Sequence, residues 1–120
     1  MTAPRLTASA RRDVANALAQ SEAQFGRAAR RRYRLLLERA LDDLARDPTR
    51  PGVRADAHLP PDHRLYPVRL SRARVAPADR VGHPRHVVVF RVDERGVEVL
   101  RLLHEAMDLP RHLPPGGEEA

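Results

Sequence analysis

Residues 85–114 read RHVVVFRVDERGVEVLRLLHEAMDLPRHLP, and the way this stretch folds decides the rest. His86-Val87-Val88-Val89-Phe90-Arg91-Val92 combines four β-branched residues with an aromatic one, a composition that suits a pleated, largely buried surface. The run is too short to favour a helix. Asp93-Glu94-Arg95-Gly96 is a turn in which glycine can supply a positive φ, and Val97 to Leu103 forms the returning strand. The expectation is therefore a β-hairpin that the remainder of the chain must cover.

The upstream sequence supplies the cover. Pro4-Arg5-Leu6 can form a short edge strand, and Thr7 or Ser9 can cap the helix that follows. From Ala8 to Phe25 the residues Val14, Leu18 and Phe25 share a face with small alanines beside them, which predicts a weakly apolar helix ending at Gly26. A second helix is expected from about Arg27 to Arg46, where Tyr33, Leu37, Ala40, Leu41 and Leu44 recur at helical spacing with Leu36 on the flank. Asp47-Pro48 stops it. Two helices joined at one glycine make an antiparallel helical hairpin.

Asp47 to Asp62 is rich in proline and reads as a loop crossing to the sheet. Leu65 to Leu70 is expected to be an edge or bulged strand because Pro67 interrupts it. Ser71 to Pro84 reads as a mobile basic arm, and the end of the chain beyond Pro114 as a flexible tail. The order strand, helix, helix, three strands argues an α+β fold, with a helical hairpin packed on a small antiparallel sheet. A single domain over residues 1–114 with a tail at 115–120 is the expected organisation.

The 120 residues include no cysteine, which removes disulfides and thiolate metal sites. All the positive side chains are arginine, and the net charge is +6. Forked guanidinium donors suit carboxylates and phosphates, so an acidic protein or a nucleic acid is the natural partner. Residues 1–12 lack an apolar signal core, and no apolar run approaches the roughly 20 residues that cross a bilayer. A cytoplasmic protein without a membrane role is expected. Six histidines invite a metal reading, but no closed ligand set can be named from their spacing, and neither a metal nor any other cofactor is expected.

Several of these residues together resemble the RelE/ParE superfamily of bacterial type II toxins, and the ParE branch most closely. The resemblance rests on Leu6-Thr7 before the first helix, Phe25-Gly26 at the helical corner, Asp47-Pro48 and Leu59-Pro60. Above all it rests on Val99-Leu100-Arg101-Leu102-Leu103-His104-Glu105-Ala106-Met107-Asp108 followed by Arg111-His112-Leu113-Pro114. It implies a toxin neutralised by a ParD-like antitoxin with which it forms a hetero-oligomer, and it implies DNA gyrase as the target. The alternative within the superfamily is a RelE-like, ribosome-dependent mRNA endonuclease, or an inactive homologue that only binds antitoxin. No aromatic residue follows Phe90, so a stacking tyrosine near the chain end is absent, and this weighs against the nuclease.

Each reading names residues. A metal-free nuclease needs an acid or base and cations for the extra phosphate charge of its transition state. His104 with Arg101, Arg91 and Arg85 would be its candidates, although a histidine that ends a strand is more often structural than catalytic. For the antitoxin, a disordered amphipathic segment could lay its apolar face on Phe25, Tyr33, Leu36 and Leu37 and its acids on Arg30 and Arg34. The target would meet Met107, Asp108, Arg111 and His112.

Overall fold

The computed structural model describes residues 3–105. The proposed target contacts Met107, Asp108, Arg111 and His112 lie outside that range, as does the domain boundary expected at residue 114. The element order is β1 (Arg5–Leu6), α1 (Ala8–Phe25), α2 (Arg27–Arg46), β2 (Arg64–Pro67), β3 (His86–Asp93) and β4 (Gly96–His104), with 3-10 turns at Val68–Arg74 and Pro77–Asp79. The α+β architecture expected from the sequence is the one observed.

The β3–β4 hairpin forms as expected, around Glu94-Arg95 with Gly96 at φ 105°. Asp93 stabilises the turn by accepting the Arg95 N–H at 2.8 Å. Strands lie in the order β1-β4-β3-β2. Pairing is antiparallel except at the N-terminus, where β1 runs parallel to β4 and matches Arg5 with Glu98 and Leu6 with Val99. The sheet is thus mixed.

Register in the hairpin shifts once. Val89 pairs with Arg101 and Phe90 with Val99, which leaves Leu100 without a partner in β3. An extra residue of this kind reverses the alternation of faces along a strand. Val97 and Val99 therefore point to the helices before the shift and Leu102 after it, while Leu100 and Leu103 point away. One face of the sheet packs Val88, Phe90, Val99 and Leu102 against Leu18, Leu36, Leu37 and Leu44 of the helices. The other packs Leu65, Val87, Val89, Leu100 and Leu103 with Leu59 from the crossing loop. Both faces are occupied, which explains why the strand sequence is nearly continuous in apolar residues.

Local chemistry sets the helix ends. The Thr7 hydroxyl accepts the Ala10 N–H at 3.0 Å and donates to the Leu100 carbonyl at 2.8 Å, so one side chain caps α1 and fastens it to β4. Gly26, at φ 93°, terminates α1 and starts α2, a backbone conformation that favours glycine.

Two sequence expectations change between residues 65 and 84. The strand stops at Pro67, and Val68–Arg74 winds into a 3-10 turn instead of extending to Leu70. The segment expected to be a mobile arm is packed. Ser71 and Val75 are buried, and the Arg72 and Arg80 guanidiniums bind backbone carbonyls within the segment. The cause is a buried polar anchor. Tyr66 Oη contacts Ser71 Oγ at 2.8 Å, Ser71 Oγ donates to Asp43 Oδ2 at 2.6 Å, and Arg50 and Arg74 complete the cluster at 3.2 and 3.4 Å from Asp43. Asp43 on α2 thereby satisfies a segment that sequence periodicity leaves shapeless.

Candidate functional site

The cleft with the most chemistry lies where the Gly26 corner of the helical hairpin meets the start of β3 and the end of β4. Its floor comes from three residues distant in sequence. Tyr33 projects from α2 and hydrogen-bonds through its hydroxyl to Nδ1 of His86. His86 pairs across the sheet with His104. The rings meet edge to face, with centroids 5.3 Å apart for Tyr33–His86 and 5.5 Å for His86–His104. The cavity is about 410 Å³. Gln20, Gln24 and Phe25 of α1, Arg32 of α2, and His83 and Arg85 from the approach to β3 form its walls and mouth. No aspartate or glutamate lines it among the described residues.

Burial dominates the electrostatics of the floor. It pushes the His86 imidazole down to about 4, with the neighbouring His104 adding to the effect and Asp13 opposing it. It also pushes the Tyr33 phenol well above its ordinary range, against backbone hydrogen bonding from Arg85. At neutral pH the phenol keeps its proton and His86 is uncharged. The simplest proton placement has Tyr33 donating to Nδ1 and the other ring nitrogen carrying the hydrogen. A histidine that is uncharged at pH 7 is no imidazolium acid, although its N–H can still donate a hydrogen bond.

The structure separates the candidate nuclease residues. His104 and Arg85 both border the cleft. Arg101 is committed elsewhere: its Nε and Nη2 reach Asp13 Oδ2 and Oδ1 at 2.7 and 3.1 Å, and the same Oδ2 accepts the Leu102 N–H at 3.0 Å. Arg91 pairs with Glu98 on the adjacent strand at 2.9 Å. Of the candidate antitoxin contacts, Phe25 is 73% exposed, whereas Leu36 and Leu37 are 1% and 5% exposed. Those two leucines are core and present no surface. Tyr33 is buried beneath the cleft. Arg30 and Arg34 are exposed and bond Glu22 and Glu38, each at 3.1 Å.

Sequence reasoning missed His86 as a partner of His104 and Asp13 as a partner of Arg101. The first was nearly legible. Counting outward from the Asp93–Gly96 turn places His104 opposite Arg85, and the single register shift moves it to His86. The second had no local signal, because Asp13 and Arg101 lie 88 positions apart.

The class of the protein is thus a small α+β domain, a helical hairpin laid over a four-stranded mixed sheet with His104 ending β4 at the cleft. A family model described as the ParE toxin of type II toxin–antitoxin system, parDE, matches residues 5–109, and the chain belongs to that family. No individually curated protein matches it. Membership makes the chain a type II toxin and implies a cognate antitoxin partner. Among the described residues no helix is long and apolar enough to cross a membrane.

Proposed function

We propose that this toxin acts on a protein target, DNA gyrase, and is held inert in a hetero-oligomer by a ParD-like antitoxin. The observation that carries the reading is the internal commitment of the sheet arginines. Arg101 and Arg91 neutralise Asp13 and Glu98, so two of the cations a nuclease would aim at a transition-state phosphate are already paired. Phe25, Arg30 and Arg34 remain on the hairpin surface as contacts for an acidic, amphipathic antitoxin segment.

One observation favours the ribosome-dependent mRNA endonuclease as a second reading: His104 and Arg85 border the same cleft. The two readings separate in a paired assay. Purified toxin is incubated with gyrase and plasmid, and in parallel with a translating ribosome reaction whose message ends are mapped. Blocked supercoiling or trapped cleaved DNA with intact messages is the expected result. Cut messages with unimpaired gyrase would overturn it. Under the gyrase reading His104→Ala keeps its toxicity, whereas a nuclease would lose toxicity while staying folded. Inactivity in both assays, with no growth inhibition on induction, would indicate an antitoxin-binding homologue.

A further inference from the structure

The cleft above Tyr33, His86 and His104 has features that gyrase inhibition does not require, and it shares only Phe25 with the proposed antitoxin surface. We propose that it is a binding site for a nucleoside monophosphate, or a small aromatic phosphate of the same shape.

Charge gives the first argument. Arginines on the surrounding surface find acidic partners: Arg30 bonds Glu22, Arg31 bonds Asp79 and Arg34 bonds Glu38. Arg32 and Arg85, which line the cleft, make no ion pair or side-chain hydrogen bond with any described residue. No carboxylate lines the cavity to offset them. Two uncompensated guanidiniums at one mouth, with His83 beside them, match a dianion better than a single carboxylate, and guanidinium forks fit phosphate oxygens in pairs.

Shape and surface chemistry give the second. A volume of about 410 Å³ falls within the range of small-molecule sites. Phe25 stands at the edge of the cavity with 73% of its surface open, an aromatic face on which a base can stack. Gln20, Ser21 and Gln24 form the adjoining wall, with no side-chain hydrogen bond to any described residue, and they can address the polar edge of a base. On the floor the Tyr33 hydroxyl is taken up by His86, and burial keeps that imidazole uncharged at neutral pH. The phosphate therefore belongs at the arginine mouth and the base along the Phe25 wall.

The full-length chain is titrated with adenosine 5′-monophosphate, following backbone amide shifts and binding heat. Adenosine, inorganic phosphate and indole-3-acetate serve as comparison probes. Saturable binding is expected, with shifts centred on Ala29, Gly82, His86 and His104. Adenosine and phosphate alone should each bind at least about tenfold more weakly, as should the Arg32→Ala and Arg85→Ala variants. Phe25→Ala should weaken binding about tenfold. These positions are exposed or border solvent, so the variants are compared at matched melting temperature. No saturable binding up to about 10 mM overturns the proposal, since weaker affinity carries no recognition. Equal affinity in both arginine variants, or shifts confined to the Arg30 and Arg34 face, also overturns it. Binding of indole-3-acetate as tightly as the nucleotide overturns the phosphate assignment.

Discussion

At the scale of single residues, one buried carboxylate and one partly buried imidazole govern stability. Asp43 joins Ser71, Arg50 and Arg74 within the core of the 68–75 segment, and the Arg50 guanidinium also lies over the Tyr66 ring at 5.6 Å. Removing the carboxylate leaves the buried Ser71 hydroxyl without its acceptor and takes the counter-charge from the partly exposed Arg50 and Arg74. Asp43→Ala should therefore cost about 3–5 kcal/mol in urea unfolding, and Ser71→Ala about 1–3 kcal/mol. His86 sets the acid limb of stability. Its folded value of about 4 lies below the ordinary 6.5. Between those values the unfolded chain holds a proton that the native ring does not. Its contribution is complete above about pH 6.5 and falls away as pH drops towards 4. After discounting for solvent screening the loss is up to about 2 kcal/mol. Urea midpoints measured across that window should fall in the native protein, and the His86→Gln variant should lose this part of the slope. The carboxyls of Asp62 and Asp93, held below their usual range chiefly by His63 and Arg5, act in a more acidic window.

At the scale of elements, α1 is fixed to the sheet by Thr7 and by Asp13, which takes two guanidinium nitrogens of Arg101 and the Leu102 N–H. Asp13→Ala should lower stability by about 3–5 kcal/mol, since it leaves a half-buried cation and a backbone donor without their acceptor. Thermal melts check this, and loss of amide protection in α1 before β3 would show which element detaches first. The regular elements were legible in the sequence. The valine run at 86–92, the helical spacing of Tyr33, Leu37 and Leu44, and the Gly26 corner each carry a periodic or conformational signal that acts locally. The 68–84 segment was not legible, because its order comes from Asp43, a residue on the acid-bearing stretch of α2 that reads as solvated. The register shift at Leu100 was hidden for a related reason. Val99, Leu100, Leu102 and Leu103 are all apolar, so nothing in the pattern marks where the faces exchange.

At the scale of the whole molecule, a net charge of +6 made only of guanidiniums favours acidic partners. The rate at which the cognate antitoxin associates should fall by about tenfold between low and 0.5 M salt, with a smaller change in dissociation. Phe25→Ala should weaken the complex by about 2 kcal/mol and leave the salt slope intact. Stopped-flow mixing at several ionic strengths reads both. The candidate site was only partly readable at this scale. Phe25, at the helical corner, and His104 and Arg85, at strand ends, were named from chain position, but for an antitoxin contact and a nuclease rather than as neighbours in one cleft. The cleft they border needs the sheet ends and the hairpin end to meet, a contact between residues tens of positions apart. The parallel pairing of β1 with β4 has one further effect, on biosynthesis. Residues 5 and 6 are synthesised before their partners Glu98 and Val99, with both helices and β3 in between. The edge strand β1 therefore cannot join the sheet until β4 has been made, and the complete four-stranded sheet forms only after that point. A co-expressed antitoxin has that interval in which to be present before the toxin takes its full shape.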